Sequence, residues 1–355
     1  MPLPRRPLDA DAPPPAASPD GTADEEPTWQ PVEPARRRRP RTRTVLLAAL
    51  AVLVLLVVAG AVGVELASRR VLGKVERIPE VFAPLDEAKR PQKPAGTDKT
   101  LNVLLVGVDT GTAGARDSDA IMLMHVAADR RTAAFVSIPR DSWVAVPDRG
   151  PDTIASAYAT GGPTLLVRTV EQLTALRIDH FAVMDFAGFK DITDDVGGVD
   201  VRVRRASAGF PAGPAHFDGD AALRYVRQQS RGPGGDLEHA RRQQQVMKAL
   251  LTRMGEVGLQ ANPARTLGLL ESVARTTRVD DSLGDGKMRS LALSLRNLRP
   301  EQVDFLTAPT GPPGRAGEPR VRLDPVRATG LWDAMVRDDV PGYLRGHPEL
   351  RPGPL

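Results

Sequence analysis

The sequence predicts an α/β (α+β) fold, a central mixed β-sheet flanked by helices, preceded by one transmembrane helix. Three observations carry this. Short apolar runs rich in Val, Ile and Leu fall at Leu101–Val108, Ala120–Val126 and Thr132–Ile138, the pattern of strands covered on both faces. Later stretches, 164–176 and 236–254, repeat their apolar residues at helical spacing, so strands and helices are interleaved. Val45 to Val64 holds only Ala, Val, Leu and Gly, and 20 residues at a rise of about 1.5 Å match a hydrocarbon core roughly 30 Å thick.

In chain order, residues 1–44 read as a disordered tail rich in Pro and Ala that ends in Arg36, Arg37, Arg38, Arg39, Arg41 and Arg43. Those arginines outweigh the mixed charges after the span, Glu65, Arg69, Arg70, Lys74, Glu76 and Arg77. The tail is therefore expected in the cytoplasm and the C-terminal bulk outside, with 45–64 a retained signal anchor at the cell membrane. Residues 65–99 read as a juxtamembrane polar linker. Within the folded part, 100–340, the three apolar runs come first. A loop over 148–163 follows, with a short helix near Thr153–Ala159 and a break at Gly161, Gly162 and Pro163. Thr164–Leu176 is helical, Ile178–Asp185 a strand, Phe186–Val196 a helix ended by Gly197 and Gly198, and Val199–Val203 a strand. Helices over Gly219–Arg227 and Asp236–Met254 come next, the second with Asp236 as N-cap. Two helices broken near 280–286, a strand at Gln302–Thr307, a short strand at Val321–Leu323 and a helix at Ala328–Arg337 complete the domain, and 341–355 reads as a loose tail.

The core must be aliphatic, since hydrophobic residues make up 41% of the 355 and aromatics 4%. The absence of cysteine excludes disulfides, thiolate metal sites and a cysteine nucleophile. Net charge is +4, but the excess sits in the 36–43 cluster beside the apolar span, so no nucleic-acid partner is expected. The histidines show no metal-ligand spacing. Charges gather at the strand ends: Asp109 after the first run, Arg116, Asp117 and Asp119 before the second, Arg140 and Asp141 after the third. Such a rim suits a metal ion and phosphate oxygens, and it equally suits three core strands with solvated turns. The first turns of the 236–254 helix carry Arg241, Arg242 and Gln243, which fits a phosphate partner or a solvated basic face.

The motifs NVLLVGVD (102–109), SDAIMLMHV (118–126), SIPRDSWV (137–144), AYATGGP (157–163), IDHFAVMDFAGF (178–189), VGGVDV (196–201), FDGDAALRYVR (217–227) and RRQQQVMKALL (241–251) together resemble the LytR-CpsA-Psr family of cell-envelope phosphotransferases. The resemblance is close over about 100–255. It implies an extracytoplasmic domain that moves a glycopolymer phosphate from a polyprenyl-pyrophosphate carrier onto peptidoglycan. Partners would be the carrier-linked glycan, peptidoglycan and, through the single span, the membrane. It implies Mg2+ held by Asp109 and Asp119, catalytic Asp109, Arg140 and Asp141, and pyrophosphate contacts from Arg140, Arg227 and Gln243, with Arg116 and Arg242 adding charge nearby. These types suit the chemistry: magnesium takes one or two carboxylates plus phosphate oxygens, and arginine grips phosphate with two parallel donors.

The chain also departs from that pattern. Arginines expected of the family are here Gly111, Asp117, Gln229 and His239, and the Lys and Asn of a further segment are Thr153 and Ala155. Each lost charge-assisted contact costs roughly 1.5–3 kcal/mol. A catalytically weakened relative that binds polyprenyl phosphate or wall polymer as a scaffold or regulator is therefore the alternative expectation.

Overall fold

A computed structural model describes residues 73–108, 118–207, 209–228, 235–256, 271–295, 298–312 and 320–351, all within one unit, Ala59–Leu355. The 1–44 tail, the 45–64 span and residues 229–234 lie outside the described residues. Among the described residues no helix is long and apolar enough to cross a membrane.

The strands are β1 (Glu76–Ile78), β2 (Leu101–Val108), β3 (Ser118–Val126), β4 (Ala133–Ile138), β5 (Trp143–Val146), β6 (Gly150–Thr153), β7 (His180–Asp185), β8 (Val199–Val203), β9 (Gly213–Phe217), β10 (Thr277–Asp280) and β11 (Val303–Thr307). The helices are α1 (Ile154–Thr174), α2 (Phe186–Asp195), α3 (Gly219–Arg227), α4 (Gly235–Glu256), α5 (Asp285–Leu295), α6 (Pro325–Val336) and α7 (Val340–Gly346). A seven-stranded sheet runs β1-β10-β7-β2-β3-β4-β11, and β5-β6 and β8-β9 form separate hairpins. Pairs β1/β10, β7/β2 and β4/β11 are parallel and the others antiparallel, so the sheet is mixed as expected.

The continuous apolar runs are explained by cover on both faces. Leu104 and Val106 of β2 face one way, into a core with Leu166 and Val170 of α1, Leu331 and Met335 of α6 and Leu344 of α7. Leu101, Val103 and Leu105 face the other way, toward Met247 and Leu251 of α4 and Met288 and Leu291 of α5. A third cluster joins the β8–β9 hairpin to α2, α3 and α4, where the rings of Phe210, Phe217 and Tyr225 stand 5.2 Å apart pairwise. Gly197 and Gly198 end α2 at φ +82° and +84°, as their pairing suggests.

Several segments differ from the sequence reading. Residues 73–99 are docked rather than a free linker: β1 extends the sheet, Val81 is buried, and Arg90 is paired with Glu171. The 341–351 stretch is packed, because α7 buries Leu344 against the core. The 148–153 loop contributes β6, paired with β5. The Gly-Gly-Pro break lies inside α1 as a kink, with Gly162 at φ 61° and ψ −156°.

Candidate active site

β2, β4, β7 and β11 run in one direction, so their C-terminal ends share one edge with the start of β3. Asp109 and Arg116 lie outside the described residues. The neighbouring register is defined: Gly107 pairs with Ala120 and Val108 with Ser118, so residue 119 is the extra residue of a bulge. Val108 also pairs with Asp185, the last residue of β7, which sequence reasoning passed over. Its signal was its place in MDF at the end of a strand.

Arg140 and Asp141 follow β4 at the same edge. Arg140 Nε stands 3.9 Å from Asp141 Oδ1, and both side chains are about one third exposed (31% and 33%). Their backbone is clamped on two sides. The Arg140 carbonyl accepts from the Ala155 amide (3.1 Å) and the Asp141 carbonyl from the Val321 amide (2.9 Å). The Trp143 ring two residues on is covered by Arg320, 3.8 Å above its centroid.

α4 crosses this edge with a run of polar side chains, each with its own task. Arg242 is buried, and its Nη2 donates to the Gln228 carbonyl at the end of α3 (2.5 Å). Burial lowers its affinity for its proton, with Tyr225 and Glu238 opposing. Gln243 Nε2 lies 2.9 Å from His239 Nε2. Gln244 pins the helix to the sheet through Ser137 Oγ (3.0 Å), the Leu306 carbonyl (2.6 Å) and Thr307 Oγ1 (2.9 Å). Gln245 accepts from the Tyr225 hydroxyl (3.2 Å). Arg227 is exposed in the last turn of α3.

Between α4 and the sheet lies a cleft of about 110 Å³, lined by Leu105, Gly107, Ala120, Met122, Met184, Val226 and Met247, with Gln243 in the same wall. The structure thus gathers residue 119, Asp185, Arg140, Asp141 and Gln243 at one edge, with Arg242 and Arg227 at the α3–α4 junction beside it. Among the described residues no three metal-ligating side chains form a cluster.

A helix-covered mixed sheet with an apolar cleft beside a charged strand rim places the chain in the mixed α/β class. The LytR_cpsA_psr family model matches residues 80–318, and the chain belongs to that family. LcpB of Corynebacterium glutamicum is 37% identical over 194 residues, covering 52% of this chain and 46% of the relative. The cell wall biosynthesis protein LcpA of the same organism is 29% identical over 289 residues, 67% of this chain and 55% of its own, so the chain spans about half the length of both. The polyisoprenyl-teichoic acid–peptidoglycan teichoic acid transferase TagU of Bacillus mycoides is 29% identical over 259 residues, 70% of this chain and 79% of its own. Among solved structures, a LytR-Csp2A-Psr enzyme from Actinomyces oris has a TM-score of 0.59 at 22% identity, covering 74% of this chain and 95% of that one. TagT bound to LI-WTA has a TM-score of 0.52 at 24% identity, covering 72% and 92%. These likenesses bear out the mixed α/β fold.

Proposed function

We propose that this chain is a membrane-anchored transferase that moves a glycopolymer with its phosphate from a polyprenyl-diphosphate carrier to a hydroxyl of peptidoglycan at the outer face of the cell membrane. The observation that carries this reading is the meeting of the apolar cleft with the charged rim at Gln243. A wall of Leu, Val and Met suits the phosphate-proximal part of a prenyl chain, with the diphosphate toward the Gln243 carboxamide and the Arg140 rim. The names of TagU and LcpA point the same way.

In the proposed reaction the acceptor hydroxyl oxygen bonds to the glycan-side phosphorus. The bond from that phosphorus to the bridging oxygen breaks, and polyprenyl phosphate leaves with that oxygen. Asp141 takes the hydroxyl proton, and Arg140 stabilises charge on the transferred phosphoryl oxygens. Gln243 and Arg227 orient the diphosphate, with Arg116 and Arg242 adding positive potential. A magnesium site from Asp109 and Asp119 fits the oxygen-only donor set, and the β2–β3 register brings position 119 to the end of the strand that Asp109 follows. Bound there, Mg2+ would neutralise charge on the diphosphate.

The scaffold reading rests on the basic residues this chain lacks, Gly111, Asp117, Gln229 and His239 standing where the family pattern has arginines. Full-length protein in liposomes, given a short-chain prenyl-diphosphate glycan and a peptidoglycan fragment, separates the two. Magnesium-dependent release of prenyl phosphate, lost in Asp109→Ala and Arg140→Ala, is expected. Tight binding with no release would instead establish the scaffold.

A further inference from the structure

A groove of about 540 Å³ lies between α4 and the β8–β9 hairpin. Its helix wall is Gln245, Lys248, Ala249, Thr252, Arg253 and Glu256, a single face at i, i+3, i+4, i+7, i+8 and i+11. At about 100° per residue that face is centred opposite Gln243 and Met247, which line the apolar cleft. The hairpin runs antiparallel to the helix. Arg253 Nε donates to the Val196 carbonyl (3.3 Å) near one end, and Gln245 Nε2 donates to the Arg202 carbonyl (3.2 Å) near the other. The second end adjoins Gln244, which bonds to Ser137 and Thr307 at the strand rim. The groove therefore starts beside the rim and leads away from it for roughly 16 Å, the rise of α4 from Gln245 to Glu256.

The carboxylates of this groove are engaged, and two of its cations are not. Asp200 accepts from His216 Nδ1 at 2.8 Å, and Glu256 is paired with Arg253 at 3.2 Å. Among the described residues the Arg202 guanidinium and the Lys248 ammonium have no side-chain partner. Arg204 and Arg205, both exposed, follow β8 on the side of the rim and add to the positive potential there. Among the described residues no aromatic ring lines the groove, so it offers charge and hydrogen bonds, with no platform for stacking a neutral sugar.

We propose that this groove is a second substrate site, which holds anionic repeats of the glycopolymer chain beyond the sugar next to the diphosphate. Arg202 and Lys248 each take a phosphodiester or carboxylate oxygen of that chain. The proposal rests on the transferase reading given above. With the lipid in the cleft on one side of α4 and the diphosphate at the rim, a chain of several repeats passes around α4 and lies along its opposite side. A donor with only its first sugars does not reach so far. Free cations without a free carboxylate select a polyanion over a peptide that carries both signs of charge. The groove therefore suits the polymer, and not the peptide-bearing acceptor.

The first test is calorimetric binding to the full chain in detergent and needs no turnover. A lipid-free glycerol-phosphate oligomer, a hyaluronan oligosaccharide and a neutral malto-oligosaccharide of matched length separate phosphodiester, carboxylate and uncharged chains. A charged chain is expected to bind, more weakly as salt is added, and the neutral one is not. Arg202→Glu with Lys248→Glu should weaken that binding by about tenfold or more, the loss of one charge-assisted contact. The melting temperature should hold, because neither side chain has a partner to lose. Arg131→Glu with Lys287→Glu, the same change in net charge at exposed positions away from the groove, should bind as wild type does. In liposomes the groove variant should raise KM for a prenyl-diphosphate donor carrying several anionic repeats and leave a donor with one disaccharide unchanged. No binding of either charged chain, wild-type binding in the groove variant, an equal loss in the control variant, or a KM rise shared by the short donor would overturn the proposal and leave the transferase reading standing. A disaccharide-peptide fragment of peptidoglycan that displaces the charged chain would assign the groove to the acceptor and overturn it too. Chain binding as expected, with no turnover of either donor, would support the site and remove the transferase reading alone.

Discussion

The Asp280 carboxylate is fully buried and meets the His180 ring, Oδ2 to Nδ1 at 3.1 Å, where β10 lies against β7. Burial alone pushes the carboxyl upward. Hydrogen bonds from His180, Ser282 and the Phe181 amide outweigh it and hold Asp280 below the ordinary carboxylate value. Asp338 is held down in the same way by His125 and the Ala128 amide against its own burial. A depressed folded value means the unfolded chain takes the proton first. The stability from these groups is therefore present above about pH 4 and is lost as pH falls through the folded values. Asp280→Asn should destabilise the domain by about 3 kcal/mol near neutrality, the scale of a broken buried pair. In urea melts the gap to wild type should narrow below about pH 4. A gap independent of pH would show that the carboxylate charge contributes nothing there.

The segment before β2 is held by a second buried pair. Arg90 Nη2 donates to Glu171 Oε1 at 2.7 Å and to the Ile178 carbonyl at 2.6 Å, while the Ile178 amide donates to the same carboxylate at 2.9 Å. Both side chains are nearly closed to solvent, so removing one partner leaves a buried charge alone. Arg90→Ala is expected to cost about 3 kcal/mol. A soluble domain begun at residue 100 should melt well below one begun at residue 73. Equal melting temperatures would restore the linker reading of 73–99.

The sequence was legible where local pattern and tertiary role coincide. β2, β3 and β4 are apolar because both their faces are covered, and their shortness and Val/Ile/Leu content fit strands. β10 was hidden because TRVD joins the sheet with two charged residues in four, between two helices whose period dominates the window. β1 has three residues and takes its identity from pairing 200 residues distant in sequence. At the site, strand ends made Arg140 and Asp141 candidates and the polar first turns of a helix drew attention to Gln243, whereas its pyrophosphate role came only through the family resemblance. The place of Asp185 beside Val108, and the approach of His239 to the Gln228 carbonyl, depend on register and on a helix crossing that no local window encodes.

Gly198 tests whether the paired glycines act only as a helix stop. At φ +84° its conformation already disfavours a side chain, and an added Cβ would lie 2.3 Å from His216 Nε2 and 2.8 Å from the Phe217 carbonyl. The hairpin cannot recede, because Val199 pairs with Phe217 and both are buried. Gly198→Ala should therefore cost at least 1–3 kcal/mol, roughly the strain of the backbone alone. Gly209→Ala, at φ +80° with open space around it, should cost only the backbone strain. Equal losses in the two variants, read by thermal melting, would mean that crowding against β9 is not felt.

The last prediction addresses the cleft. Ala120 lines it from β3 opposite Gly107, at the end nearest the rim. A volume of about 110 Å³ admits part of an aliphatic chain and leaves little room for an added ring. Ala120→Phe should fill that space with apolar surface and leave the fold near wild-type stability, since the ring enters an existing void and not a packed core. If a prenyl chain occupies the cleft, this variant should lose affinity for a farnesyl-diphosphate sugar by tenfold or more, about 1.4 kcal/mol or above. It should keep its weak affinity for the same sugar diphosphate capped with a methyl group, because the rim is untouched. The ratio of the two affinities isolates the lipid contribution from the charge contribution. An unchanged ratio in a folded variant would place the prenyl chain elsewhere, and with it the observation on which the transferase reading depends.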